Sequence, residues 1–347
     1  MNELRELLKL HYDLYPDIQI KDAVKLIYQN EFGGGHLIKD ENASLEYLME
    51  ELTKIENSND NLITDIGNGM IRFNLAALKN CGITPVTLNR LFVISANNRK
   101  GSMNKFMEKL NLVYDLPFNN DDVQKYLKKY AEAGYPAVSH SEIYRKTYTP
   151  AYRVIDKKYI KLLDLLSMID RKSESKSKVI IGIDGKCGSG KSTAAAILSE
   201  VYGCDVVHMD DFFLPSEFRT DSRLNEIGGN FHYERFKEEV ADKIKSSKPF
   251  KYRIFDCSVM EYNGTRTIQA RPQNIIIVEG SYSLRQRKIY DIKVFIDVPD
   301  TIQKQRILAR DGEFMWDKFE NIWIPMENKY FDEFKIKEVS DIVIEGI

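Results

Sequence analysis

Residues 179–193 read VIIGIDGKCGSGKST, and this stretch decides the fold of the second half of the chain. Its first five residues predict a buried strand, residues 185–192 match G-x-x-x-x-G-K-[ST], and residues 194–198 favour a helix. A strand, a glycine-rich loop and a helix in this order bind phosphate, because loop N–H groups and the positive end of the helix dipole face the anion. The alternative is a purely structural glycine turn, which the flanking strand and helix disfavour.

The same loop predicts a nucleotide site. Lys191 can reach the β- and γ-phosphates, and the Ser192 hydroxyl can ligate Mg²⁺. The sequence contains no N-K-x-D stretch specific for guanine, so ATP is the favoured nucleotide. The residues predicted to hold ATP and Mg²⁺ are Gly185, Lys186, Cys187, Gly188, Ser189, Gly190, Lys191, Ser192 and Thr193.

The 347 residues exceed the usual size of one hydrophobic core, so two domains are expected. After the loop, short apolar runs alternate with helical patterns, which predicts a doubly wound parallel α/β sheet. Before it, apolar residues recur at helical spacing, as in Leu4, Leu7 and Leu8, which predicts a mainly α-helical domain. We therefore divide the chain into a helical domain, a wholly polar linker and an α/β domain, at 1–170, 171–178 and 179–347. The further predicted strands are 205–209, 274–278, 293–298 and 341–344.

Composition narrows the class of protein. The chain has 50 Lys and Arg against 52 Asp and Glu, which disfavours a globally basic nucleic-acid binder. No stretch approaches the roughly 20 apolar residues of a membrane span, and the start MNELRELLKL lacks the apolar core of a signal peptide. The four cysteines are widely spaced. We expect a cytoplasmic protein without disulfides or a zinc site.

Two predicted strands end in acids. In a doubly wound sheet the carboxyl ends of the strands face the ligand crevice, so Asp210 and Asp211 are expected there after the strand 205–209. Asp210 is the candidate catalytic base and also a candidate metal ligand; capping of the next helix is the alternative. Glu279 ends the strand 274–278 and is the candidate Mg²⁺ ligand, with a solvent-facing acid as the alternative.

Two arginines follow the next strand. Arg306 and Arg310 have the i, i+4 spacing that places them on one face of a helix. They can fold over the nucleotide as a lid and neutralise charge on the transferred group. The alternative is a solvated charged face.

Together, the loop 185–193, the Asp210-Asp211-Phe212-Phe213 block, the Glu279-Gly280 strand end and the arginine pair resemble the uridine kinase and phosphoribulokinase family. The resemblance covers residues 179–345 and implies a P-loop kinase fold. It implies Asp210 as the base, Glu279 as the magnesium-assisting acid and a β-hairpin over the acceptor, formed by 251–256 and 265–268.

The acceptor side departs from the family pattern. Uridine–cytidine kinases carry an aspartate after an Asn-Phe pair, but here His232 follows Asn230-Phe231. Their base-reading histidine corresponds to Met260, and the tyrosine of D-x-F-Y is Phe213. We therefore expect γ-phosphoryl transfer to a hydroxyl of a small molecule, and not a standard uridine or cytidine kinase. The candidate acceptor residues, which packing could equally explain, are Asp211, Phe213, Arg223, His232, Arg253 and Tyr262.

The first half resembles no family of known activity. Gly33-Gly34-Gly35-His36 predicts a tight turn, with close approach of a ligand as the alternative. Residues 140–153 interleave aromatic and basic side chains, which suits a contact between the domains or, less favoured, binding of an RNA acceptor. A metal or acid–base site of His36, His140 and Glu142 has no spacing to recommend it. For the whole chain, an ATPase switch or a non-catalytic nucleotide-binding regulator is the rival to the kinase.

Overall fold

The computed structural model describes residues 1–56, 61–246, 248–269 and 274–346. The chain divides into two compact units, Met1–Leu163 and Asp164–Ile347, of which the final residue lies outside the described ranges. None of the helices in the described part of the chain is long and apolar enough to cross a membrane.

The first unit is mainly helical, as its apolar periodicity predicts. Its core brings α1 and α2 together with residues of the helices that follow and of a small sheet. The helices are α1 (Asn2–Leu14), α2 (Ile20–Phe32), α3 (Glu41–Lys54), α4 (Leu78–Cys81), α5 (Pro85–Asn98), α6 (Met103–Leu110), α7 (Asn120–Glu132) and α8 (Glu142–Tyr148). The strands are β1 (Ile63–Gly67), β2 (Met70–Asn74) and β3 (Tyr152–Asp156).

The three-stranded antiparallel sheet of the first unit, in the order β1-β2-β3, was not predicted from the sequence. Strands β1 and β2 meet at Asn68-Gly69, where both residues have positive φ, 55° and 74°. An Asn-Gly pair with positive φ at both positions is the turn that best fits the twist of a two-residue hairpin. The dipeptide was therefore the local signal for a hairpin in this otherwise helical half.

The polar run 171–178 is not an extended linker. Residues up to Ser175 belong to helix α9 (Leu163–Ser175), and strand β4 begins at Lys178. The hydroxyl of Tyr202 donates to Leu166 O and to Asp170 Oδ1, at 3.3 and 2.9 Å, which ties α9 to the helix after the phosphate loop. The polar residues lie on the exposed last turns of a helix whose earlier part is buried. The boundary between the units accordingly falls before the predicted linker.

The second unit is built on a five-stranded parallel sheet in the order β10-β9-β4-β8-β5. Each predicted strand is present, and an antiparallel hairpin of β6 and β7 stands apart from the sheet. The strands are β4 (Lys178–Gly185), β5 (Asp205–His208), β6 (Phe250–Asp256), β7 (Glu261–Ile268), β8 (Asn274–Glu279), β9 (Ile292–Asp297) and β10 (Ile342–Glu345). The helices are α10 (Lys191–Tyr202), α11 (Asp221–Leu224), α12 (Tyr233–Phe236), α13 (Asp300–Lys318), α14 (Ile324–Phe334) and α15 (Ile336–Val339).

The three glycines before His36 form a turn. Gly33 ends α2 with a φ of 64°, and a Cβ on Gly34 would lie 2.5 Å from the ring of Phe92. Close packing of the backbone against an aromatic ring therefore accounts for Gly34.

Residues 140–153 lie in the first unit, where several of their polar groups enter a buried network. His140 Nδ1 donates to Asp22 Oδ1 at 2.8 Å, and the Tyr152 hydroxyl donates to His140 Nε2 at 2.6 Å. Within the described residues no group of three or more His, Cys, Asp or Glu side chains forms a metal site, so the grouping with His36 and Glu142 finds no support.

His140 makes the first unit sensitive to acid. Burial lowers the pKa of His140 from 6.5 to about 4, against the opposing effect of the hydrogen bond to Asp22. Between pH 6.5 and about 4, His140 is protonated in the unfolded chain but neutral in the folded protein. Folding stability therefore falls as the pH drops from 6.5 towards 4. We expect a loss of about 3 kcal/mol at most across this window. Amide hydrogen exchange of residues 1–163 as a function of pH measures it.

The variant His140→Gln should be less stable at pH 7, but its stability should change less with pH between 6.5 and 4. Replacement of the exposed His36 by Gln is the matched control and should change the slope less. An unchanged slope in His140→Gln would contradict the assignment.

Candidate functional site

The loop between β4 and α10 has the backbone of a phosphate cradle. Gly185, Gly188 and Gly190 have φ values of 142°, 71° and 104°, which residues other than glycine rarely adopt. A Cβ on Gly185 would lie 2.1 Å from the carbonyl oxygen of Ile296 on the neighbouring strand β9. The loop therefore requires glycine at its first position for both conformation and space.

The loop residues fit a phosphate group. Lys191 Nζ donates to Gly185 O and Lys186 O, at 2.8 and 2.9 Å, so its charge already lies over the loop. The first turn of α10 has N–H groups without intrahelical acceptors, and the buried Ser189 hydroxyl has no described partner. Lys191, Ser189 and the helix N-terminus would together hold the oxygens of a polyphosphate.

The side chains of two predicted loop residues, Lys186 and Cys187, contact groups outside the loop. Lys186 Nζ donates to Asp300 Oδ1 at 2.9 Å and to Val298 O at 3.0 Å, near the start of α13. The Cys187 sulfur accepts from Gln303 Nε2 at 3.1 Å, and its carbonyl oxygen accepts from the same group at 3.0 Å. These two side chains fasten the loop to α13, whereas Ser192 and Thr193 are exposed at the start of α10.

Two of the three predicted magnesium ligands, Ser192 and Glu279, are in contact. Strand register pairs His208 of β5 with Glu279 of β8, and Glu279 is 4% exposed. The Ser192 hydroxyl donates to Glu279 Oε2 at 3.0 Å, and His208 Nδ1 donates to Glu279 Oε1 at 2.5 Å. A hydroxyl and a carboxylate are oxygen ligands that suit Mg²⁺, which takes its remaining ligands from phosphates and water.

Asp210 and Asp211 have different environments. Asp210 is exposed in the turn after β5. Its pKa is raised by desolvation and then by the charge of Glu279, while Lys191 acts in the opposite direction. Asp211 is buried, and its Oδ2 accepts from Tyr252 Oη at 3.1 Å and from Arg266 Nε at 3.2 Å. Asp211 thus anchors the hairpin, and Asp210 is the acid open to a ligand.

The two arginines of α13 are not equivalent. Arg306 Nη1 donates to Gly188 O and Ser189 O, at 3.1 and 3.3 Å. Arg310 bonds Asp311, which raises the pKa of Arg310, and its guanidinium is exposed. Arg306 therefore contacts the phosphate loop directly, whereas Arg310 points to solvent.

The candidate acceptor residues fall into two groups, and each group has partners of its own. Arg253 and Tyr262 lie on the hairpin, with the guanidinium 4.6 Å from the ring centre and paired with Glu239 at 2.6 Å. Arg223 and His232 belong to the segment between β5 and β6. Arg223 donates to Phe231 O at 3.0 Å, and His232 Nδ1 accepts the Arg235 N–H at the start of α12.

Phe213 packs on Phe231 with ring centres 4.6 Å apart. Of the acceptor candidates, Arg223 and His232 are the two that share an acid, because Glu234 Oε2 lies 3.0 Å from Arg223 Nη2 and 3.5 Å from His232 Nδ1.

Two buried acids at the site were missed in the sequence. Asp184 accepts N–H groups from Gly185, Tyr282 and Leu284, and burial raises its pKa to about 6. A charged residue within an apolar strand was its one local signal. Glu327 of α14 accepts the Cys187 N–H at 3.0 Å and the Ser281 hydroxyl at 2.5 Å. Its position, 140 residues from the loop, gave no local signal at all.

The half of the chain that contains this site is similar in sequence to known proteins. Over 187 residues, or 50% of the chain and 87% of the relative, the chain is 26% identical to a uridine kinase of Latilactobacillus sakei. It is 29% identical over 194 residues to one from Streptococcus agalactiae, again over 50% of this chain and 89% of that protein. The C-terminal half is similar to uridine kinases.

These relatives cover about half of the chain, and the N-terminal half lies outside the match. No family model matches the chain. A solved structure described as a possible uridine kinase from Bacillus stearothermophilus covers 52% of this chain and 99% of its own, with a TM-score of 0.38 and 22% identity.

Gly185→Ala tests the cradle. The new methyl group would meet the backbone of β9 at a φ of 142°, so we expect a loss of about 3 kcal/mol or more in the free energy of unfolding. Gly203→Ala is the matched control, because Gly203 also has a positive φ, 60°, but a Cβ there enters open space. The control should cost about 1 kcal/mol. Equal losses in urea unfolding would contradict the steric argument.

Glu327→Gln tests the acid beside the loop. Removal of a carboxylate from the loop N–H should reduce repulsion of a triphosphate and tighten ATP binding, by about three- to tenfold. Isothermal titration calorimetry measures the affinity. Glu333→Gln on the exposed side of the same helix is the control and should leave it unchanged. Weaker binding in Glu327→Gln would mean that Glu327 supports the loop rather than competing with the ligand.

Proposed function

We propose that the second unit is an ATP- and Mg²⁺-dependent phosphotransferase that passes the γ-phosphoryl group to a hydroxyl of a small molecule. The observation that carries the proposal is the placement of one open carboxylate, Asp210, at the sheet edge that holds the phosphate loop and Glu279. Similarity of this half to uridine kinases supports the reaction class.

The roles of the residues follow from their contacts. Lys191 and Arg306 lie on the loop and would neutralise phosphate charge, while Ser192 and Glu279 would hold the metal. Bound Mg²⁺ would supply charge neutralisation between the phosphates. Asp210 would accept the proton of the acceptor hydroxyl as that oxygen attacks phosphorus and the bond to ADP breaks. Its raised pKa suits proton acceptance.

The acceptor is proposed to differ from uridine and cytidine. His232 caps α12, and Arg223 is held by backbone oxygens, so these two positions organise their own segment. Arg253 and Tyr262 are the residues on the hairpin that we propose to face the acceptor. An RNA acceptor is not proposed, since the polar groups of His140 and Tyr152 are taken up within the first unit.

Acceptor-dependent turnover of ATP tests the proposal. ADP formation is measured with Mg²⁺ and a panel of nucleosides, sugars, amino-alcohols and small RNAs. Asp210→Asn should lower kcat by about 10²- to 10⁴-fold with little change in ATP affinity, because only the proton acceptor is lost. Lys191→Ala should weaken ATP binding as well. Asp221→Asn, at an exposed acid outside the site, is the control.

Two outcomes would replace the kinase. Hydrolysis of ATP that needs no acceptor and survives Asp210→Asn would indicate an ATPase switch. Tight ATP binding with no turnover of any acceptor would indicate a nucleotide-binding regulator.

A further inference from the structure

The buried polar network of the first unit joins five elements. Asp22, Lys25 and Gln29 lie on α2, and Arg72 lies on the central strand β2. Around them are His11 of α1, Tyr152 of β3, and His140 with Tyr144 at the start of α8. Arg72, Asp22, Gln29, His11 and His140 are each at most 6% exposed, and Lys25 is 8% exposed.

Asp22, the carboxylate of this network, is already saturated with donors. It accepts His140 Nδ1–H, the N–H and hydroxyl of Ser141, and the N–H of Gln19. These hydrogen bonds outweigh burial and lower the pKa of Asp22, so it is ionised at neutral pH. Its acceptor positions are taken by neutral donors, and no hydrogen bond joins it to Arg72 or Lys25 among the described contacts.

Arg72 is a buried cation without an anionic partner in the described structure. Its Nε donates to Gln29 Oε1 at 2.9 Å and its Nη1 to His11 Nε2 at 3.2 Å, and its guanidinium lies 4.6 Å from the Tyr152 ring centre. All three partners are neutral, because burial and the nearby Arg72 charge lower the pKa of His11 to about 2. Arg72 Nη2 is buried with no described hydrogen-bond partner.

Lys25 adds a second positive charge. Its Nζ donates to the carbonyl oxygen of Val138 at 3.1 Å. Burial and, next, the charge of Arg72 lower the pKa of Lys25 to about 8, while the charge of Asp22 acts in the opposite direction, so all three charges lie within electrostatic range of one another. Two buried cations thus face a single carboxylate that is committed to other groups.

Two other cations of this unit, the partly exposed Lys109 and the buried Arg153, are neutralised. Lys109 pairs with Glu31 at 2.5 Å, and Arg153 pairs with Glu51 at 2.8 Å. Arg153 also has a buried Nη2 without a described partner, but its charge is balanced. A buried charge that is not balanced destabilises the fold by several kcal/mol. Arg72, Lys25 and the ionised Asp22 together leave one positive charge in excess, which an external anion would balance.

We propose that the first unit binds a small molecule through an oxyanion, a phosphate or a carboxylate, held by Arg72 and Lys25 beside Gln29, His11 and Tyr152. Guanidinium matches the oxygens of either group geometrically. The burial of both cations restricts the ligand to a small molecule.

Calorimetric titration of the full chain with inorganic phosphate and, separately, with sodium acetate tests this site, with chloride to match ionic strength. All proteins in this titration carry Lys191→Ala, so that the phosphate loop contributes less to the measured anion binding. We expect saturable binding of one of the two anions, which tells a phosphoryl ligand from a carboxylate one. Arg72→Met should weaken it by about tenfold or more.

Arg153→Met is the matched control, because Arg153 is a buried arginine on the adjacent strand β3. This substitution should leave the anion affinity unchanged. Lys25→Met decides the question if Arg72→Met does not fold, because Lys25 contacts only a backbone oxygen among its described hydrogen bonds. Absence of saturable binding of either anion would overturn the proposal. Equal anion affinities of the Lys191→Ala protein with and without Lys25→Met would also overturn it. A third contrary result is a higher Tm for Arg72→Met together with no effect of either anion on the Tm of any variant, because a purely structural charge would give that result.

Discussion

Asp184 is the constraint on which the second unit depends. It is fully buried at the end of the central strand β4, where it accepts N–H groups from the phosphate loop and from the turn after β8. The hydroxyl of Tyr330 on α14 donates to the same carboxylate at 2.8 Å. One acid thus joins the loop, the turn after Glu279 and the helix that carries Glu327. A carboxylate with four donors costs less to bury than an unpaired one, and it fixes the directions of all of them.

This anchoring explains how a flexible glycine loop can keep a defined shape. The glycines permit the conformation, but two side chains from distant parts of the chain hold it. Arg306 binds the loop carbonyls, and Glu279 binds the hydroxyl of Ser192. The conformation of the loop is therefore set by the protein itself, as the proposed phosphoryl transfer requires of a preorganised site.

The sequence predicted the features that depend on neighbouring residues. Strand β4, the loop and α10 are consecutive, and Glu279 and Asp210 each follow a strand directly, so pattern alone placed them. Glu327 could not be found this way, because its contact with Cys187 depends on the path of the whole domain. The roles of Asp210 and of the acceptor residues remain predictions. The linker was misplaced because exposed last turns of a helix and a solvated linker have the same polar composition.

Helix α9 has a practical consequence for separating the two halves. A fragment that began at residue 171, where composition suggests a natural break, would lack the first half of this helix. Tyr202 would lose both oxygens to which its hydroxyl donates, and α10, which carries the phosphate loop at its other end, would lose that support. Expression of the second half as an independent protein accordingly calls for a start at or before Leu163.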